Sequence, residues 1–126
     1  TAVDEHVAIG VDPVQFPGES ALHCALVDGP TRDFNLMVRR DVACGDVVVV
    51  RGAGRAIGPA RTLICFAATG ASECLLAGYP PTPVPPGHAL LVAAERGAAA
   101  PAVHVLPADA SAVALVAVVR DPATAQ

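Results

Sequence analysis

The sequence predicts an all-β domain of the barrel or sandwich kind, and three observations carry that prediction. Apolar runs are short and rich in valine. Glycine and proline punctuate them at nearly regular intervals, and the 12 prolines leave little room for long helices. With 126 residues, 53% of them hydrophobic and 16% charged, the chain can bury enough apolar surface to offset its folding entropy as one domain spanning 1–126.

The elements follow from the punctuation. Strands are expected over His6–Val11 and Ala21–Val27, with the turn Phe16-Pro17-Gly18-Glu19 between them. After the turn Asp28-Gly29-Pro30 comes a strand over Asp33–Arg39, and then one over Asp46–Arg51. The stretch Gly52 to Gly58 matches neither dinucleotide nor P-loop glycine spacing and reads as a glycine-rich loop. Strands over Thr62–Ala67 and Glu73–Ala77 precede the proline-laden segment Tyr79 to Gly87, a stiff extended connection across a barrel end. The last three strands are expected over His88–Ala93, Ala102–Leu106 and Ala112–Arg120. Alanine favours helix between Leu91 and Ala102, but Gly97 and Pro101 interrupt it and no apolar 3.6-residue period holds, so strand followed by loop is the better description.

Charge and composition narrow the function. A net charge of −4, with arginine as the only strong base and lysine absent, does not supply the clustered cations that displace counterions from a nucleic acid. No run approaches the ~18 apolar residues of a membrane helix. Residues Thr1 to His6 lack the basic and apolar regions of a signal peptide, so no membrane association is expected and a cytoplasmic location is.

The reactive residues are scattered. Cys24, Cys44, Cys65 and Cys74 form no CxxC pair and sit in or beside apolar runs, as reduced core thiols do. His6, His23, His88 and His104 lie far apart with no His-x-His, so no metal and no cofactor is expected. Pro85-Pro86-Gly87-His88 reads as a turn leading into a strand. Ser20, His23 and Cys24 are close in sequence, yet His23 and Cys24 would face opposite sides of one strand and could not act as base and nucleophile.

Strand geometry divides the run from Asp33 to Arg39 into two faces. Phe34, Leu36 and Val38 point one way; Asp33, Asn35, Met37 and Arg39 point the other. Alternation alone allows the polar face to be merely solvated or to line a cavity.

The segment Gly29-Pro30-Thr31-Arg32-Asp33-Phe34-Asn35-Leu36-Met37, followed by Arg39 and Arg40 and preceded by Phe16-Pro17-Gly18, resembles the most recognisable part of HutD/Ves proteins. The similarity extends from about Val11 to Ala68 and is only compositional from Gly78 onward. It implies a cupin-like antiparallel β-barrel, a double-stranded β-helix or jelly roll, with two barrels per chain, of which this one is similar to the C-terminal. It further implies a binding or regulatory role beside histidine catabolism, with a small acidic metabolite such as urocanate or a formylated amino acid as ligand. Asp33, Asn35, Met37 and Arg39 are then the ligand-binding candidates, because a guanidinium matches a carboxylate bidentately and an asparagine amide both donates and accepts. An N-terminal cupin-like half, or another copy of the chain, is the implied partner. Two alternatives stand beside this expectation: a metal-free cupin enzyme, an isomerase or hydrolase acting on a small acid, and a structural barrel that docks to a partner half.

Overall fold

A computed structural model describes residues 15–19, 32–95, 98 and 100–122. The strands expected over His6–Val11 and Ala21–Val27, and the Ser20, His23 and Cys24 group, lie outside the described residues. Within them are eight strands and no helix: β1 (Cys44–Val50), β2 (Arg55–Ile57), β3 (Thr62–Thr69), β4 (Ser72–Leu76), β5 (Thr82–Val84), β6 (Ala89–Ala93), β7 (Val103–Pro107) and β8 (Val113–Arg120). Nor do the described residues hold a helix long and apolar enough to cross a membrane.

The strands form two four-stranded antiparallel sheets, ordered β1-β8-β3-β6 and β2-β7-β4-β5. The pairs nest: β4 with β5, β3 with β6, β2 with β7 and β1 with β8. A long ribbon folded back on itself and divided between two sheets gives this order, the strand order of a jelly roll. The all-β, cupin-like expectation therefore holds at the level of topology.

Alternation places the core between the sheets. Leu63, Cys65 and Ala67 of β3 and Ala114, Val116 and Val118 of β8 meet Cys74 of β4 and Val103 and Val105 of β7, all buried in one apolar cluster. Valine suits this role, since its branched side chain is stiff and packs well on a pleated surface.

Two strands escape the sequence pattern. β2 follows a turn in which Gly52 and Gly54 both have positive φ, and only its last residue, Ile57, is buried, too short a signal to stand out from the glycines. At Gly54, with φ near +86°, a Cβ would lie 2.5 Å from the backbone oxygen of Val105, so glycine is required there by both conformation and space. β5 forms from the expected extended connection. Its Pro83 lacks a ladder donor, which is tolerable because β5 is an edge strand.

The expected strand over Asp33–Arg39 requires correction. Residues 32–39 pair with no strand among the described residues, although they alternate between half-buried Phe34, Leu36 and Val38 and exposed Asp33, Asn35, Met37 and Arg39. Phe34 stacks on Phe66 of β3, with ring centroids 5.5 Å apart and planes inclined by 12°. Leu36 and Val38 approach Gly45 of β1 so closely that a Cβ there would lie 2.9 and 3.0 Å from their methyl groups. Because β8 lies between β3 and β1, the segment crosses over β8 on the outside of the sheet. Four residues of extended chain span ~13 Å, enough for the ~10 Å of two inter-strand spacings. A chain lying on the face of a sheet cannot join its ladder, which is why extended, alternating residues form no strand here.

Candidate functional site

The crossing segment ends in a turn that shapes the candidate site. Val42 and Ala43 donate their backbone N–H groups to the carbonyl of Arg39 at 3.1 and 2.9 Å. Alternation stops at this turn, and Arg39 and Arg40 both border one depression. Arg39 donates to Asp41 at 2.9 Å, and Arg40 donates to Glu19 at 2.7 Å.

That second contact joins residues 21 positions apart and fastens the Phe16 to Glu19 turn against the arginines. Gln15 adds a second tie, donating to Asp46 at 2.8 Å, while Asp46 also accepts from Arg120 at 3.3 Å. Gly18, Glu19, Val38, Arg39, Arg40 and Asp41 together line an open depression of about 450 Å³. Its volume is within the range of small-ligand sites.

Electrostatics in the depression is that of two exposed ion pairs. The hydrogen bond from Arg40 holds the Glu19 carboxyl below its ordinary value, and Glu19 in turn raises the Arg40 guanidinium. Both groups are exposed, so the pairs orient side chains more than they stabilise the fold. An incoming carboxylate would meet two guanidiniums whose present partners are exposed and exchangeable.

Of the four residues expected to bind ligand, only Arg39 borders this depression. Asp33, Asn35 and Met37 share its exposed face, farther back along the crossing segment, with Met37 87% exposed. The neighbouring Arg32 donates to the Ala68 carbonyl at 3.0 Å and anchors the start of the segment. Arg40, Glu19 and Asp41 were missed as site residues. The Arg39-Arg40 doublet carries a signal for Arg40, but the expected strand ends at Arg39 and so assigns Arg40 no face.

Cys65 and Cys74 are buried free thiols, whereas Cys44, expected in the core, is exposed because it opens the edge strand β1. His88 and His104 are exposed, and the His88 ring lies 3.2 Å from the Pro86 carbonyl. No three His, Cys, Asp or Glu side chains gather into a metal-binding group among the described residues. Ser72 is the one buried side chain among them whose hydroxyl lacks a hydrogen-bond partner.

Two apolar-cored antiparallel sheets in jelly-roll order, with an open depression lined by two arginine–carboxylate pairs at one end of a covering segment, define a cupin-like protein. The family assignment follows from the sequence match. The HutD family model matches residues 2–110, and the chain belongs to the HutD family. The match runs well past Ala68, so the family likeness continues through β4 and on through β5 to β7, the part beyond Gly78 where similar composition alone is expected from the sequence. No curated protein and no solved structure matches the chain.

Proposed function

We propose that this HutD-family protein is a non-enzymatic binding or regulatory module whose ligand is a small carboxylic acid, held in the depression at Arg39 and Arg40. The observation that carries the proposal is the meeting of the two family-like motifs: the Phe16-Pro17-Gly18 turn and the Arg39-Arg40 doublet come together through Glu19, and Gly18, Glu19 and both arginines border one open depression. Two guanidiniums side by side can grip one carboxylate with parallel N–H···O bonds, while Asp33 and Asn35 offer further polar contacts along the same face. Membership of the HutD family makes an acid of histidine breakdown, urocanate or a formylated amino acid, the ligand to try first. Calorimetric titration with each acid and with its uncharged amide tests the proposal. The acid is expected to bind at least ten times more tightly than the amide, and equal affinity would remove the arginines from recognition.

One observation favours a second reading. Met37, a large apolar side chain in the middle of the exposed face, is 87% exposed, as expected of a surface that docks to an N-terminal cupin-like half or to another copy. Sedimentation of the protein beside Met37→Glu tests it. Loss of an assembly in the variant supports docking, and two monomers, with no association with the other half, sink it.

A further inference from the structure

Cys65 and Cys74 are placed as no other pair of reactive groups among the described residues is. Cys65 belongs to β3 in one sheet and Cys74 to β4 in the other, and both side chains point into the space between the sheets, 2% and 1% exposed. The corner at Thr69, Gly70 and Ala71 carries the chain from one sheet to the other, with Gly70 at φ near +65° and tight against Ala112. The two thiols belong to one buried apolar cluster and perturb each other's ionisation. Two buried thiols that face one core from opposite sheets, nine residues apart across a short corner, are a candidate pair for an intrachain disulfide.

We propose that Cys65 and Cys74 are an oxidisable dithiol, converted by a peroxide into a disulfide that staples the two sheets together. Cys74 attacks first in the sequence that follows, and exchanging the two cysteines leads to the same disulfide. The Cys74 thiolate attacks one peroxide oxygen; the O–O bond breaks, a sulfenic acid forms and, for hydrogen peroxide, the second oxygen leaves as water after taking up a proton. The sulfur of Cys65 then attacks the sulfenic sulfur, the S–O bond breaks, and a second water carries away the oxygen with the Cys65 proton. Two thiols and one peroxide thus give one disulfide and two waters. Burial makes the reaction slow, because the oxidant reaches the pair only through local opening of the sheets.

The experiment uses the full chain with Cys24→Ser and Cys44→Ser, so that only the pair remains. After treatment with hydrogen peroxide in the folded state, the protein is unfolded, alkylated and digested with chymotrypsin, which cleaves after Phe66 and leaves the two cysteine peptides joined only by a disulfide. The expected result is a joined peptide pair, a loss of two hydrogens in intact mass and a rise in Tm of roughly 5–10 °C that dithiothreitol reverses. Cys74→Ala in the same background is expected to show neither the crosslink nor the rise. Two alkylated thiols after exposure, or oxidation that stops at separate sulfinic acids, would overturn the proposal, as would a crosslink that forms only after unfolding.

Discussion

The outer faces of the two sheets differ, and the difference explains the crossing segment. On β1-β8-β3-β6 the outward residues are almost wholly apolar: Val47 and Val49, Leu115 and Ala117, Ile64 and Phe66, and Leu91, side by side in register. On β2-β7-β4-β5 they are mixed, with His104 beside Leu75 and Glu73 beside Leu106. The first face needs a cover and the second can meet water. Where Phe34, Leu36 and Val38 cross the first face, Leu115 and Ala117 beneath are 6% and 1% exposed; at the far edge, on β6, Leu91 is 63% exposed. One side of the Asp33 to Arg39 run is therefore structural, and only its other side is left for recognition.

Substitutions can break this contrast. The largest effect is expected for Phe34→Ala, which removes the ring stacked on Phe66 and uncovers the sheet. A loss of roughly 2 kcal/mol, read as a lower urea midpoint, follows from a half-buried aromatic pair. Leu106→Ala, on the outer face that needs no cover, is expected to cost under about 1 kcal/mol, and an equal loss at the two sites would erase the distinction. Next comes Gly45→Leu. A side chain at that position meets Leu36 and Val38 at once, so an overpacking cost of about 1–2 kcal/mol is expected, with faster proteolysis between residues 32 and 40. Proteolysis unchanged from the parent would show that the segment is held elsewhere.

Smaller effects concern the ion pairs. Glu19→Gln frees Arg40 from its carboxylate, so affinity for a small acid is expected to rise several-fold, and a fall would mean that Glu19 itself contacts the ligand. The pH dependence has a definite sign. Because the folded pKa of Glu19 is depressed, the tie to Arg40 is fully present above the ordinary value of 4.5 and is lost as pH falls through the lowered value. Protection of the Phe16, Gly18 and Glu19 backbone amides against exchange, corrected for the intrinsic rate at each pH, is expected to fall in that window and to stay constant between pH 6 and 8.

Most of the fold could be read from the sequence because valine runs and glycine or proline punctuation report directly on buried, two-period strands. β8 reads as an unbroken apolar run, Val113 to Val119, since both of its faces are covered, one by the second sheet and one by the crossing segment. β2 and β5 could not be read so easily, being three-residue strands that owe their pairing to β7 and β4. The crossing segment shows the limit of alternation. A two-residue period identified which side chains face inward, but it could not say whether the backbone joins a ladder or lies across one. Nor could it find Glu19, which reaches the site only because the fold brings two distant turns together.

The central claim is that the two faces of the crossing segment do separate work, and Arg39→Ala tests it most directly when binding and stability are measured on the same sample. Calorimetric titration with a small carboxylic acid is expected to show affinity reduced by at least a factor of ten, in keeping with loss of a charge-assisted pair worth about 1.5–3 kcal/mol, while the urea midpoint stays unchanged. Unchanged affinity, or a loss of affinity that merely follows a loss of stability, would contradict the division.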